Sequence, residues 1–400
     1  MSAGAVLALP QNVFSESIFD IMVSSEGFTY QESYSSLEDV MNGIDEDYIR
    51  QQIYRYTDQS GVFSRVNLKG IPITLSFLEK STALTLDIHA IGVQETFIGA
   101  TRDDSVDQLE EWLKKNGEDA LTALMQELAA NTANDPIAGN PNSLMGNVVQ
   151  SDYDSGFTSN VSKIKQSKEV RTDITEDNSN LVGIKARYGS YRQGGMDNKH
   201  FSLPLSYTVR FNNSSNKLKF KLPIIMTEVD GAKSYTLAFG MELGLQLTGN
   251  WVLTSAVNYA AMGSVDLGSA GPMASGSITS AYQFDIGTWK LNLGNMVGYY
   301  KALEFSYDDY SFDPDIANTV TRNGLMLSIP TENIMKDTAF ELFVTDTRYF
   351  GSDLYIDQYN EIGFSFGYTK KAIFSDMKIG ATYSHAEDSK GFVVNFGYEF

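Results

Sequence analysis

The chain has 400 residues, no cysteine and a formal net charge of −20, from 50 acidic and 30 basic side chains. The missing cysteines remove thiol catalysis, cysteine–zinc sites and disulfides together, and the acidic balance argues against nucleic acid, whose phosphates need basic surface. No run approaches the ~18 apolar residues of a membrane helix, a test that a membrane β-barrel escapes because its strands need only alternate. The charge is uneven: residues 1–150 carry 22 acidic and 8 basic side chains, residues 151–400 carry 28 and 22, so two parts of different character share the chain.

Met1–Pro10 is apolar but lacks a basic leading segment and is too short for a complete export signal, so the gene is expected to encode more upstream. Residues 35–56 read as helix, with Leu37, Val40, Met41 and Ile44 at helical spacing and Ser35 or Ser36 placed as a cap. The period then becomes two: Ile71, Ile73, Leu75 and Phe77 alternate, as do Leu84, Leu86 and Ile88, with Glu79–Ser81 as the turn. Helical spacing returns over Asp103–Asn116 and again at Leu121, Leu124, Met125 and Leu128. Residues 1–140 are expected to form an acidic α+β domain whose apolar stripes make a small core rather than a cofactor pocket. Asn131–Ser143 is rich in Asn, Ala, Gly and Pro and marks a break, and residues 141–180 are expected to be a linker or a segment threaded through a pore.

From residue 181 the pattern is almost wholly period two. Its cleanest run sets Tyr235, Leu237, Phe239, Met241, Leu243, Leu245 and Leu247 against Thr236, Ala238, Gly240, Glu242, Gly244 and Gln246. Similar runs begin near residues 182, 201, 218, 251, 273, 288, 320, 337, 360, 376 and 391, giving twelve strands. Most reach the ~9–11 residues of a tilted membrane strand. If the last strand ends in the periplasm, the connections 193–199, 227–233, 263–272, 301–319, 349–359 and 385–390 point outward and the shorter ones inward, as membrane barrels arrange them. Phe211, Trp251, Trp289, Tyr349, Phe350 and Tyr368 near strand ends are expected to form interface girdles. A soluble sandwich of two packed sheets is the competing arrangement. The fold class expected is a transmembrane antiparallel β-barrel of about twelve strands over residues 181–400, preceded by the small α+β domain.

In the last ten residues Phe392, Val394, Phe396, Tyr398 and Phe400 share one face, opposite small or polar neighbours. This strand resembles the C-terminal strand of bacterial outer-membrane barrels, where a terminal Phe and alternate apolar residues form the assembly signal. An acidic N-terminal part, a linker and then a twelve-stranded barrel resembles the autotransporter translocator of Gram-negative bacteria, over roughly residues 150–400. About 140 residues are a small passenger without repeated β-helix rungs, so a solitary autotransporter-type barrel is the closer likeness. The resemblance implies outer-membrane lipid and the barrel assembly machinery as partners. It also implies an outer-membrane location, with the N-terminal domain on the periplasmic side or in the pore.

On the lumen faces of the first three strands Lys185, Arg187, Arg210, Lys219 and Lys221 cluster, with Glu242, Asp285 and Glu341 elsewhere on the wall. They form either a basic patch that attracts a small anionic solute or the chain's own N-terminal part, or an ordinary polar lining. His200 and Ser202 share a strand face at the H-x-S spacing of outer-membrane hydrolases, but their parity points into the lumen and no residue stands ready to orient the histidine. Asp87 with His89, and His385 with Glu387 and Asp388, are weak metal signals better read as solvated groups. Nothing calls for a cofactor or a metal, and the chain is not read as an enzyme. The leading expectation is a barrel serving transport or envelope structure, its pore partly filled by its own N-terminal segment. Surface display of residues 1–140 is the second, and a hydrolase built on His200 and Ser202 the third.

Overall fold

Two strands that the sequence reading does not anticipate open the N-terminal domain. In the computed structural model, which describes residues 17–115, 117–158, 180–211, 216–307, 310–368 and 377–399, β1 (Phe19–Ser25) pairs with both β2 (Phe28–Tyr34) and β3 (Val62–Leu68). The helical stretch expected over 35–56 divides into α1 (Leu37–Gly43) and α2 (Glu46–Gln52). Asn42-Gly43 is a poor helix continuation, and the Asp45 carboxylate accepts from the Asp47 N–H to start a new helix. Next come β4 (Ile71–Phe77), β5 (Ala83–Ile88), β6 (Val93–Ile98), α3 (Arg102–Lys115) and α4 (Glu118–Asn131). At the start of α3, Thr101 and Asp104 exchange backbone-to-side-chain bonds, a reciprocal cap. The six strands form one antiparallel sheet in the order β2-β1-β3-β4-β5-β6. One apolar cluster gathers Ile71, Leu84, Leu86, Phe97 and Leu128 between strands and helices. A second holds Phe19, Ile21, Val23, Val40, Ile49 and Val66 and is completed by Val229, Ala232 and Leu267 from the following domain.

That domain is a closed antiparallel barrel. Its staves are β7 (Leu181–Gln193), β8 (Met196–Arg210), β9 (Lys217–Val229), β10 (Ala232–Thr248), β11 (Trp251–Ser264), β12 (Ser269–Ile286) and β13 (Trp289–Ala302); a small hairpin, β14 (Phe305–Tyr307) and β15 (Tyr310–Phe312), then interrupts the wall. The wall continues through β16 (Ala317–Pro330), β17 (Thr338–Gly351), β18 (Gln358–Tyr368), β19 (Lys378–Ala386) and β20 (Ser389–Glu399), and β20 closes onto β7 with Phe396 opposite Ala186. The sandwich alternative fails here, because apolar side chains do not meet between two sheets. On β10 every second residue from Ala232 through Gly244 is buried, while Tyr235, Leu237, Phe239, Met241, Leu243 and Leu247 are exposed around the outside. Phe392, Val394 and Phe396 join this outer belt; the Tyr398 side chain and Phe400 lie outside the described residues.

The expected long-outside, short-inside pattern of connections does not hold. At the end remote from the chain's C-terminus, Gly194-Gly195, Asp230-Gly231 and Glu387-Asp388 are two-residue turns, and only 303–316 is long. The paired positive φ angles of Gly194 and Gly195 and of Asp230 and Gly231 suit such tight hairpins. Apolar alternation fades where the outer surface turns polar, as at the Lys199–Glu228 pair, but the backbone ladder runs on to the turn. Tyr349, expected in a girdle, instead faces inward and is 8 % exposed, because its parity matches Thr345 and Thr347 on the lumen face of β17.

Candidate functional site in the barrel lumen

Asn131–Ser143, whose composition suggests a flexible break, is a buried strap from the N-terminal domain into the barrel mouth. A buried loop must satisfy its own backbone groups, and its Asn and Asp side chains do so. Asp135 Oδ1 accepts from the Ile137 and Ala138 N–H groups, both at 2.9 Å, and Asn140 donates to the Asp135 carbonyl at 2.7 Å. Asn198 on β8 donates to Asn134 at 2.7 Å. Gly139 has φ +82°, and a Cβ there would lie 2.3 Å from the Ala129 carbonyl oxygen. Above the strap, Lys69 of the β3–β4 turn donates to Ser269 at 2.6 Å. Burial pushes the Lys69 ammonium below its ordinary range, with Asp135 opposing the shift. Burial likewise raises the Asp135 carboxyl against the pull of Lys69 and the two amides.

Past the strap, Ser143 caps α5 (Leu144–Tyr153), which runs into a single wide turn at Asp154–Thr158. This stretch belongs to the expected linker or pore segment 141–180; residues 159–179 lie outside the described residues. Leu144, Met145, Val148, Val149, Tyr153 and Phe157 pack with Ala238, Ala260, Met262, Met273, Met296, Tyr300 and Met326, all inward-facing on five different strands. A helix enclosed on all sides shows no single apolar face.

Asp152 is the polar hub. Its carboxylate accepts from Lys221 at 2.7 Å, Asn258 at 2.9 Å, Ser277 at 2.9 Å and Tyr300 at 3.0 Å, joining β9, β11, β12 and β13 to the helix. Lys221 also lies 2.6 Å from Glu242, which accepts from Ser155, and Lys219 donates to Ser155 at 3.1 Å. Arg187 pairs with Asp154 at 2.8 Å. Across the lumen Arg322 reaches Glu361 at 2.5 Å, Tyr359 at 2.8 Å and Thr347 at 2.9 Å, with its guanidinium 5.0 Å from the centre of the Tyr153 ring.

Of the residues singled out from sequence, Lys185, Arg187, Lys219 and Lys221 are brought together on the lumen face, and three of them meet acids or a hydroxyl of the 152–155 segment. Arg210 sits on the same face at the rim, opposite Lys217 in register. Glu341 is buried and pairs with Lys378 at 2.8 Å. His200 and Ser202 are each 4 % exposed and face the lumen. His200 Nδ1 lies 3.4 Å from Thr227 Oγ1, and no hydrogen bond joins it to Ser202 among the described residues. Asp152, Arg322 and Glu361 are the residues that sequence reasoning missed; the one signal was a run of polar and apolar residues with helical caps but no stripe.

Two inward glycines seat the plug rings: a Cβ on Gly294 would lie 2.6 Å from Phe157, and one on Gly324 2.3 Å from the Tyr153 hydroxyl. Gly294→Leu is expected to lower the thermal midpoint of the folded barrel, with an overpacking penalty of about 1–3 kcal/mol. Gly287→Ala, in an open turn at φ +61°, tests backbone strain without touching the plug.

An outward apolar belt on a closed barrel around a polar lumen is the surface of a wall between lipid and water. The fold is a transmembrane-type antiparallel β-barrel of twelve strands. No family model and no curated protein matches the sequence. Among solved structures the barrel is similar to the β domain of the Bordetella autotransporter BrkA (14 % identity, TM-score 0.44, covering 56 % of this chain and 99 % of that one) and to the translocator domain of NalP from Neisseria meningitidis (11 %, TM-score 0.40, 62 % and 99 %). It is also similar to the KdgM porin in complex with disordered oligogalacturonate (9 %, TM-score 0.34, 55 % and 99 %).

Proposed function

We propose that this chain is an autotransporter-type outer-membrane anchor that holds its N-terminal domain at the cell surface and closes its lumen with its own chain. The observation that carries the reading is the path of the backbone. The N-terminal domain packs on the turns 229–232 and 265–268, at the mouth remote from the C-terminus. From there the chain descends through the lumen as α5, and β7 begins at the opposite rim, where Glu399 pairs with Gly183. With the final strand ending in the periplasm, that mouth faces outward, which supports placing residues 17–131 on the exterior; the periplasmic side and the pore are the alternatives. Protease added to intact cells is expected to remove the domain while the barrel survives; protection until the outer membrane is broken would reverse the orientation.

A second reading, solute transport, is favoured by one observation. Beside the plug lies a cavity of about 170 Å³ into which Lys185, Arg187, Lys219, Arg322 and Lys378 project, against Asp154 and Glu361. On that reading the barrel passes small anions when α5 withdraws. A lumen that stays cation-selective or closed in bilayer recordings after α5 is deleted removes it.

A further inference from the structure

Two prolines stand in the middle of the barrel wall, where the ladder needs every donor. Pro204 on β8 lies directly opposite Pro223 on β9, and each is six residues from its strand's end at the C-terminal rim. Proline has no N–H, and within sheets it is confined to edges, strand starts and bulges. The pairing on both flanks of this hairpin is interrupted at the same level. Between β7 and β8 it passes from Ile184–Leu205 to Arg187–Ser202, and between β9 and β10 from Leu237–Ile224 to Gly240–Lys221. By count, Pro204 falls opposite Lys185 and Pro223 opposite Ala238, so the rung that each proline cannot make belongs to an outer flank. Between β8 and β9 themselves the pairing runs unbroken from Asn198–Val229 to Arg210–Lys217. The other pairings of the wall cross mid-depth without a gap among the described residues. The β8–β9 hairpin is therefore firm within itself and more weakly joined to both neighbours, at a depth where water does not replace a lost rung.

Behind the hairpin the lumen is less tightly filled. The apolar cluster around α5 takes wall residues from β10 onward and none from β7, β8 or β9 among the described residues. Between α5 and the hairpin lies a cavity of about 60 Å³, lined by Gln150, Ser151, His200, Ser202, Pro204 and Pro223 among others. The ties from the plug to β9 are polar, Lys219 to Ser155 and Lys221 to Asp152. On the outer side Phe201, Leu222 and Ile224 are exposed in the apolar belt. An outward movement keeps that face in lipid, so it costs little desolvation.

We infer that β8–β9 is a lateral gate. The hairpin parts from β7 and β10 at the level of the two prolines, opens the cavity sideways to the bilayer, and draws Lys219 and Lys221 away from the plug. The inference goes beyond the anchor reading and rests on the barrel's spanning a membrane.

Hydrogen exchange of the full chain in detergent micelles reads the two flanks directly. Segments 183–188 and 236–241 are expected to exchange about tenfold faster than the middles of β12 and β13. Pro204→Ala with Pro223→Ala restores both donors and is expected to bring the segments level. A lock independent of proline is Ala186→Cys with Leu203→Cys, opposite each other by the same count in a chain that has no cysteine. Its oxidation is expected to slow segment 183–188 to the same level. In phospholipid vesicles, a maleimide tethered to an acyl chain is expected to label Ser206→Cys, behind the hairpin, about tenfold faster than Thr382→Cys, which lines the lumen on β19. The two alanines are expected to remove that advantage. Equal exchange on gapped and unbroken ladders overturns the gate, as does exchange untouched by both the alanines and the lock. So does labelling of Ser206→Cys no faster than that of Thr382→Cys. Insertion of the wild-type chain into the vesicles is scored separately: failure there removes the membrane-spanning reading, whereas insertion with slow, uniform exchange removes only the gate.

Discussion

Asp152→Ala is expected to destabilise the folded barrel by about 3–5 kcal/mol, the range for breaking a buried ion pair from one side. The carboxylate accepts from four groups on four strands, and its loss leaves Tyr300 and Ser277 with buried donors that water does not reach, while half-buried Asn258 keeps Ser275. Lys221 retains Glu242 at 2.6 Å, so the wall itself stays paired and the damage falls on the helix contact. Two measurements separate the effects. The temperature at which the folded form converts to the slower-migrating unfolded form on electrophoresis reports stability. Bilayer conductance reports whether α5 still fills the lumen, and it is expected to rise. Asp152→Asn keeps the volume and much of the hydrogen bonding and should fall between the two. A variant indistinguishable from wild type in both measurements would show that the plug is held by packing alone.

Phe239→Arg addresses the other side of the same wall. Phe239 is 54 % exposed and stacks on Phe220 with ring centres 6.4 Å apart. On a soluble barrel an exposed substitution of this kind changes stability by no more than about 0.5 kcal/mol. In a bilayer, a cation near mid-depth on the lipid face costs about 2–4 kcal/mol. Denaturant unfolding from phospholipid vesicles is expected to give the larger figure, and Phe239→Leu to be nearly neutral. A small effect for the arginine would sink the membrane assignment of this face.

The two substitutions lie on opposite faces of one wall, and the sequence was informative about only one of them. Phe239 could be placed on the lipid side from its neighbours alone, since Ala238 and Gly240 are small and Leu237 and Met241 repeat the pattern. Asp152 carried no such mark. Its helix is buried whatever the chemistry of each residue, because the surrounding lumen is polar in some directions and apolar in others; no stripe develops, and the stretch reads as linker. The strap before it misled for a related reason. Asn134, Asp135 and Asn140 are residues of exposed turns, yet here their side chains replace water as partners for a buried backbone. At the turns, Gly194-Gly195 and Asp230-Gly231 are tight-hairpin signals, but apolar alternation ends before the strands do, so it marks the strand ends too early.

Residue type and spacing alone determined the twelve staves, the outward face of runs such as Tyr235–Leu247, and the helices and later strands of the small α+β domain, because a period of two or of 3.6 is a property of adjacent residues. Tertiary structure alone decided that α5 fills the lumen, that the N-terminal domain sits at the mouth away from the C-terminus, and that Lys221 meets Asp152 across 69 residues of chain. Those facts depend on barrel closure, which brings β20 against β7 and makes an enclosed space out of twelve separately legible strands.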